Sequence, residues 1–517
     1  MKYIPKSESQ LHNITSPRRK KRNEGNMMPG VVYNKDRVMG KECDCGKELL
    51  HLPRNQAGWS GYRILYQVKR TGCRIQRMGK EEYLITEAPL KALTVFALPM
   101  IIGSFFQQVY NMADSIIVGQ FVGSSALAAV GACAALSNVF ICVAIGAGVG
   151  AGVLVSRYFG AQKYDRMKTI VSTSLISFLV LGILLGIFGF VCSHWMMRVL
   201  QTPADILDVA VLYLRVYFVG FPFLFMYNIL STMFAAIGES RIPLGLLIFS
   251  SVLNIGMDLW MVKDLGLGVF GAALATLLSQ GISAVLSLII FFCRMRRYAG
   301  AFRRFDGQEL RAMLQIAVPS VLQQSTVSVG MMIVQAVVNP FGTQALAGYA
   351  ATMRVENVFS LIFVSIGNAV SPFVSQNLGA KKEKRIQEGY HAALLLDFCF
   401  AALAFFVIET WHTPISSLFL GKDGTALAYQ VSGDYMKWLG YFFLFMGIKM
   451  ATDGVLRGLG IMRPFLIANL VNLAIRLSVA ILFAPRFGIA FVWLAVPAGW
   501  FANFLISYTA LRSTQKW

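Results

Sequence analysis

Long apolar stretches separated by short polar loops dominate the chain from about residue 92 onward. Residues 136–156, for example, contain no charged side chain, and a run of 18 or more such residues can cross a bilayer as a helix. The pattern predicts an all-α polytopic membrane protein with twelve transmembrane helices. The predicted segments are 92–117, 126–155, 169–192, 208–236, 242–262, 268–293, 312–338, 345–375, 390–411, 428–456, 464–484 and 488–511.

Basic residues are concentrated in every second loop between these segments. The loops after segments 2, 4, 6, 8 and 10, called the even loops, contain 17 Lys and Arg, whereas the odd loops contain four. Cytoplasmic loops carry an excess of Lys and Arg. The even loops and both chain termini are therefore predicted to be cytoplasmic in a multi-pass protein of the cell membrane.

Composition agrees with a membrane protein and argues against a nucleic-acid partner. The chain is 56% hydrophobic and 14% charged, whereas soluble proteins are roughly 45–50% apolar and about 25% charged. Of the formal net charge of +21, +12 lies in residues 1–80 and much of the remainder in short loops. That distribution is typical of cytoplasmic loops rather than of a nucleic-acid-binding face.

The first part of the chain differs from the apolar body. Residues 1–84 are basic and show no helical or strand periodicity, which is typical of a disordered tail. The alternative is that the native chain starts at Met78. The remainder divides into an N-terminal six-helix lobe, residues 85–300, and a C-terminal six-helix lobe, residues 301–517.

The two predicted lobes repeat each other in sequence. "FGAQKYDR" at 159–166 corresponds to "LGAKKEKR" at 378–385, and "GSSALAAVGA" at 123–132 corresponds to "GTQALAGYAA" at 342–351, both at an offset of 219. Each half has an even number of helices, so both enter the membrane from the same side. Such parallel repeats predict two pseudo-symmetric bundles around a central cleft, the natural substrate site.

Carboxyl and amide side chains inside the predicted spans are the candidate functional residues. A charge at membrane depth costs about 2.5–3.5 kcal/mol on the mildest scale, and burial favours the neutral form of a carboxyl. The two aspartates can therefore bind and release a proton, although purely structural hydrogen bonds remain an alternative. In the N-terminal half the candidates are Asn111, Asp114, Asn228, Asn254, Asp258, Thr276 and Gln280.

The C-terminal half has a different set of charges within its spans. Among them are two acid–base neighbours, Arg354 with Glu356 and Lys449 with Asp453. Each acid has a base close by in sequence and is predicted to be paired with it. The repeat places Arg476 opposite Asn254 and Ala480 opposite Asp258. Ion coupling is therefore predicted for the N-terminal lobe, and the first acid–base pair has at most a supporting role.

Enzyme signatures do not account for these residues. The chain has no H-E-x-x-H, Walker A or G-x-S-x-G motif. "GAGVGAG" at 146–152 lies inside an apolar segment, where small residues let helices approach closely. Neither an enzymatic activity nor a metal or other cofactor is predicted.

Four segments resemble the multidrug and toxic compound extrusion (MATE) family of transporters. They are "PMIIGSFFQQVYNMADSIIVGQFVGSSALAAVGA" (99–132), "GESRIPLGLLIFSSVLNIGMDLWMV" (238–262), "GVFGAALATLLSQ" (268–280) and "SQNLGAKK" (375–382). The resemblance covers about residues 85–517. It implies an antiporter that exports small organic, mainly cationic compounds in exchange for H⁺ or Na⁺. The cation site that it implies consists of Asp114, Asn228, Asn254, Asp258 and Thr276.

Two other functions remain open at this point. One is a flippase for lipid-linked oligosaccharides of a related fold, which would need several cationic residues for a pyrophosphate. The other is a channel or a membrane-embedded sensor, which the internal repeat disfavours. A monomer in contact with membrane lipids is expected, with proton coupling favoured over sodium because two carboxyl groups lie deep in an apolar lobe.

Overall fold

The computed structural model describes residues 82–421 and 424–514. Nearly all of the predicted tail, 1–84, lies outside the described residues. At the end of that range, however, Tyr83 and Leu84 belong to a short helix, and Leu84 is fully buried. This end of the predicted tail is part of the folded body.

Helices form all the regular structure of the described residues. A four-residue helix comes first, and thirteen longer helices follow it. In chain order they are α1 (Tyr83–Thr86), α2 (Pro89–Phe121), α3 (Ser124–Gly160), α4 (Tyr164–Val199), α5 (Ala204–Val219), α6 (Phe221–Ala236), α7 (Arg241–Asp258), α8 (Gly268–Met295), α9 (Gly307–Val338), α10 (Thr343–Gly379), α11 (Glu383–Leu420), α12 (Ala426–Leu459), α13 (Met462–Phe487) and α14 (Ala490–Arg512).

The predicted number of membrane helices is confirmed. Eleven helices of the described chain are long and apolar enough to cross a bilayer, and α5 with α6 forms a twelfth span bent by 50°. The fourth segment, 208–236, was predicted as one helix containing Pro222. The structure breaks it at Gly220 because proline at the start of α6 has no N–H to continue the hydrogen bonds of α5.

Matched glycines begin corresponding helices in the two halves. Gly123 precedes α3 with φ of 113°, and Gly342 precedes α10 with φ of 89°. Such angles are unfavourable for residues with a Cβ atom. The turn that reverses the chain after the first helix of each half is therefore encoded in both repeats.

The apolar cores of the two lobes merge at one end of the molecule. One cluster fills the N-terminal lobe and continues into the even-loop ends of α10, α11 and α12, where Ile366, Val374 and Leu456 belong to it. A second cluster, which includes Val334, Phe443 and Trp500, fills the rest of the C-terminal lobe. The lobes are therefore packed together on the even-loop face.

Apolar side chains also cover the outer surface. On α4, exposed residues recur at helical spacing, and Leu184, Phe188 and Val191 are among them. A water-soluble protein rarely exposes such a continuous apolar stripe. This face is suited to contact lipid tails, as expected for a membrane-spanning bundle.

Candidate functional site

A cavity of about 690 Å³ lies inside the N-terminal lobe, between α2, α3 and the helices α5 to α8. Its wall combines polar groups with apolar side chains at membrane depth. Five of the residues singled out from the sequence line it, namely Asn111, Asp114, Asn228, Thr276 and Gln280. The helical spacing that predicted shared faces therefore brings these side chains to one space.

Asp258 and Asn254 lie behind the cavity wall and are nearly or fully inaccessible to solvent. In the orientation that satisfies both of its polar atoms, the Asn254 amide donates to Asp258 Oδ2 at 2.9 Å and accepts from the Thr276 N–H at 3.3 Å. Asp258 is 0% exposed. It ends α7, and a wider π-helical turn, Leu259–Asp264, follows directly. Such turns are frequent at functional sites.

The carboxyl groups of Asp114 and Asp258 face each other across α2 and α7. The two groups are within hydrogen-bonding reach of one another. The Oδ1 atom of each residue is buried without a hydrogen-bond partner among the described residues. Two adjacent carboxyl groups cannot both be charged at low cost, so they share a proton or require a cation. The pair can therefore bind one proton or another monovalent cation and release it.

Tyrosines complete the wall beside this pair, and sequence reasoning missed them. Tyr213 and Tyr217 stack with ring centroids 6.3 Å apart, and both phenols are close enough to Asp114 to interact electrostatically with it. Tyr110 lies within hydrogen-bonding reach of Thr276. The four-residue spacing of Tyr213 and Tyr217 indicates that they share one face of α5. The sequence does not indicate which helix packs against that face.

Asn228 and Asn111 line the cavity and are hydrogen-bonded within their own helices. The Asn228 amide donates to Leu224 O of its own helix at 2.8 Å. Asn111 is exposed and makes a long hydrogen bond of 3.4 Å with Gln107 on the same helix. The hydrogen bonds of both side chains stay within their own helices, and both residues border the cavity.

The expected pairing of Glu356 with Arg354 is wrong. Glu356 Oε2 accepts a hydrogen bond of 2.6 Å from the Tyr435 hydroxyl, while the Arg354 guanidinium lies 5.9 Å from the ring centroid of Phe419. Residues two apart on a helix point to different faces, which separates the two charges. The base that interacts electrostatically with Glu356 is Arg476 instead.

The second predicted pair in the C-terminal lobe is present. Lys449 Nζ lies 2.9 Å from Asp453 Oδ2, and both side chains are buried. Asn469 donates to the same oxygen at 3.2 Å. Sequence reasoning missed Asp397, which is fully buried on α11, and neither of its carboxyl oxygens has a hydrogen-bond partner among the described residues.

Close backbone contacts across the lobes seal the even-loop face. Gly160 packs against the Gln376 carbonyl oxygen, and its repeat equivalent, Gly379, packs against the Arg157 carbonyl oxygen. Arg157 Nη2 donates to Leu459 O at 3.0 Å. At the repeat-equivalent position, Gln376 Nε2 donates to a carbonyl of the N-terminal lobe at 2.8 Å. These contacts are called the even-loop seal.

Charged residues at helix starts extend this seal at two further pseudo-symmetric positions. Arg166 Nη1 lies 2.9 Å from Glu309 Oε1 at the start of α9. Its repeat equivalent, Arg385, donates to the Glu87 carbonyl at 2.7 Å, just before α2. Burial raises the pKa of the Tyr83 phenol, and its hydroxyl donates to a carbonyl of the N-terminal lobe at 3.0 Å. The start of the C-terminal lobe is therefore bound to the N-terminal lobe through Glu309, and the start of the N-terminal lobe is bound to the C-terminal lobe through Glu87. Tyr83 of α1 is bound to the N-terminal lobe.

Comparison with known proteins identifies relatives over most of the chain. The chain is 28% identical over 384 residues to the probable multidrug resistance protein YpnP of Bacillus subtilis, covering 74% of this chain and 85% of that protein. It is also 28% identical to the probable multidrug resistance protein YoeA of the same organism, and the match covers 83% of this chain and 96% of that protein. A relative from Shewanella oneidensis, named an FAD transporter, is 24% identical, and the match covers 73% of this chain and 82% of that protein.

Solved structures share the fold. A MOP superfamily transporter from Pyrococcus furiosus superposes with a TM-score of 0.78 at 24% identity, covering 84% of this chain and 99% of that chain. The outward-facing conformation of a multidrug resistance MATE family transporter superposes with a TM-score of 0.77 at the same coverage. The MatE family model matches residues 99–260 and 319–482, more than half of the chain. The chain therefore belongs to the MATE (MatE) family and is a membrane transporter, not an enzyme.

Proposed function

We propose that this transporter exports small organic cations and other xenobiotics across the cell membrane in exchange for protons. The observation that carries the proposal is the Asp114–Asp258 pair beside the cavity of about 690 Å³. None of the described residues that line this cavity is basic. An acidic, tyrosine-lined space attracts cations through the carboxyl group and the faces of the aromatic rings. The names of the two Bacillus subtilis relatives support multidrug export.

Coupling follows from competition for one negative charge. When the carboxyl pair holds its proton, the cavity loses the charge that attracts a cation, and substrate leaves. When the proton is released toward the other side, the charge returns and substrate binds again. Exchange of one proton for one monovalent cation moves no net charge, so the pH gradient supplies the driving force, about 1.4 kcal/mol per pH unit. Alternating access would let the proton and the substrate use the same cavity from opposite sides.

A phosphorylated substrate fits this cavity less well. The Shewanella oneidensis relative is named an FAD transporter, and a lipid-linked oligosaccharide likewise carries a pyrophosphate. Phosphate groups are usually bound by Arg and Lys. Bases such as Arg354 and Arg476 belong to the other lobe. The flippase alternative therefore has less support than cation export.

The decisive experiment uses purified protein in proteoliposomes with ethidium as the transported cation. We expect an imposed pH gradient to drive ethidium movement, and an imposed Na⁺ gradient at constant pH to have no effect. Movement that follows sodium and ignores pH would contradict proton coupling. Movement of a fluorescent lipid-linked saccharide, with no transport of ethidium under either gradient, would favour the flippase.

The orientation and the oligomeric state belong to the same proposal. The excess of Lys and Arg in the even loops supports cytoplasmic termini and a cytoplasmic even-loop face. A monomer is expected because each lobe already has a buried core and the even-loop seal joins the lobes within one chain.

A further inference from the structure

A groove of about 1080 Å³ lies on the even-loop face, outside the Asp114 cavity. One wall is the stretch 162–169 at the start of α4. The other wall is formed by residues 299–308, mainly in the linker that joins the two lobes between α8 and α9. This groove is called the linker groove.

The linker is held against α4 by specific contacts. Tyr298 stacks on Tyr164 with ring centroids 5.0 Å apart. Ser172 Oγ donates to the Arg304 carbonyl at 2.7 Å, and the Lys168 ammonium donates to the Gly300 carbonyl at 3.3 Å. A wall held in one conformation loses little entropy when a ligand binds.

Two exposed phenylalanines flank two arginines in the linker, in the order Phe302, Arg303, Arg304, Phe305. The phenylalanines are 55% and 48% exposed, and the Arg303 side chain is 82% exposed. A water-facing linker would gain nothing from two exposed aromatic rings. Amphipathic and aromatic side chains are, in contrast, favoured at the boundary between a membrane and water.

Charge around the groove is strongly positive. The stretches 162–168 and 296–311 contain eight basic and three acidic residues. Two ion pairs use part of this charge, since Arg166 is paired with Glu309 at 2.9 Å and Arg303 with Asp306 at 3.6 Å. Asp306 also caps α9 by accepting from the Gln308 N–H at 2.9 Å. The two stretches around the groove therefore have an excess of five basic over acidic residues, and the lining itself has three basic and two acidic residues. This excess suits an anionic ligand.

Apolar surface continues from the groove toward the membrane centre. The face of α4 that carries Ser172 continues with Ile176 and Val180, both exposed. On α9, Leu314 and Val318 are exposed at the same spacing of four residues. Below a basic groove, these two stripes suit a pair of acyl chains.

We propose that the linker groove binds an anionic phospholipid of the adjacent leaflet, which the proposed orientation makes the cytoplasmic one. Its phosphate lies among the basic side chains of the groove, with Lys163 and Arg303 on opposite walls, and its acyl chains lie along α4 and α9. Basic pockets between transmembrane helices on the cytoplasmic side bind anionic headgroups in this way. The lipid would contact the N-terminal lobe, the linker and the start of the C-terminal lobe together.

The test compares lipid retention by the purified full-length chain in detergent, measured by native mass spectrometry. The probes are dioleoyl phosphatidylglycerol and dioleoyl phosphatidylcholine. We expect the first to bind at least about tenfold more tightly, and the triple variant Lys163→Gln/Arg303→Gln/Arg304→Gln to reduce this preference to near unity. A matched control removes three exposed charges elsewhere on the same face, through the changes Lys381→Gln, Lys384→Gln and Arg463→Gln.

The control variant should retain the preference for phosphatidylglycerol. Equal loss in both variants would overturn the proposal, because it would show that only diffuse surface charge is involved. Displacement of phosphatidylglycerol by inorganic phosphate at millimolar concentration would also overturn it, in favour of a soluble anion. The variant Phe302→Ser/Phe305→Ser keeps every charge and is expected to retain less phosphatidylglycerol. Unchanged retention of phosphatidylglycerol in this variant would contradict the placement at the membrane surface.

Discussion

The buried carboxyl groups of the two lobes have different surroundings. Asp114 faces Asp258 beside an open cavity. Asp453 is neutralised by Lys449 at 2.9 Å, and Glu356 accepts a short hydrogen bond from a tyrosine. An acid that is paired in a buried site exchanges its proton poorly, because protonation would leave the partner charge uncompensated. Asp397 of the C-terminal lobe has no hydrogen-bond partner among the described residues but is fully buried. Proton exchange is therefore expected at the N-terminal pair, which borders the cavity.

The first prediction concerns proton release on substrate binding. Asp114→Asn and Asp258→Asn should each reduce the number of protons released at least about tenfold, to below the detection limit. The reason is that an amide cannot give up a proton at neutral pH. The measurement adds ethidium to purified protein in weakly buffered solution and follows the pH with an indicator dye.

Glu356→Gln is the matched control, because it changes an acid to an amide in the other lobe and keeps an acceptor for the Tyr435 hydroxyl. Proton release should remain detectable in this variant. The assignment fails if release survives both changes in the N-terminal lobe and disappears with Glu356→Gln. Asp453→Asn is a poorer control, because it would leave Lys449 charged and buried without its partner.

At the scale of helices, the even-loop seal depends on the ends of α3 and α10. Gly160 and Gly379 let these ends meet backbone to backbone, and they are equivalent in the internal repeat. A Cβ atom at either position would overlap a carbonyl oxygen of the opposite lobe. The seal therefore requires glycine at both positions, because the overlapping atom belongs to a backbone that cannot turn aside.

We predict that Gly379→Ala opens the seal. The reporter is a cysteine in place of Ser156, which is fully buried on the even-loop face. Modification of this cysteine by a water-soluble maleimide, followed by mass spectrometry, should be at least about tenfold faster in the Gly379→Ala background, because opening exposes the site to water. Gly245→Ala is the control, since a Cβ atom there meets nothing within 4 Å. Equal labelling rates in the two backgrounds would refute the prediction.

At the scale of the whole molecule, the two lobes share one core on the even-loop face, and α1 lies across the junction. Tyr83 contacts the N-terminal lobe. The carbonyls of Leu84 and Ile85 accept hydrogen bonds of 3.0 Å from Asn377 and Lys382 of the C-terminal lobe. A chain that begins after α1 would lose contacts that hold both lobes.

Two truncations test this role. A chain starting at Met78 keeps α1 and should insert, melt and transport as the full chain does. A chain starting at Ala88 loses the buried Leu84 side chain and the two backbone carbonyls that accept hydrogen bonds from Arg385. Its free energy of unfolding should fall by about 2–4 kcal/mol, and its melting temperature should fall accordingly. Thermal unfolding in detergent measures the difference. Loss of insertion on starting at Met78, or equal stability of the two truncations, would contradict the prediction.

The sequence by itself determined the architecture and the family. Apolar length is fixed by bilayer thickness, so twelve spans could be counted before any packing was known. The offset of 219 between the halves predicted the two bundles, and the equivalence of Gly160 with Gly379 was already contained in it. Helical spacing also placed Asn254 and Asp258 on one face.

Tertiary structure alone decided which faces meet. Periodicity gives the depth and direction of a side chain but not the helix opposite, so the tyrosines beside Asp114 and the partner of Glu356 could not be read from the sequence. Asp397 lies within the predicted span 390–411, so its depth could be read from the sequence, but its burial without a partner could not. The linker groove, likewise, depends on the linker folding back onto α4 through contacts such as that of Tyr298 with Tyr164. Contacts between residues far apart in the chain, such as Glu356 with Tyr435, are set by packing, which local sequence patterns do not encode.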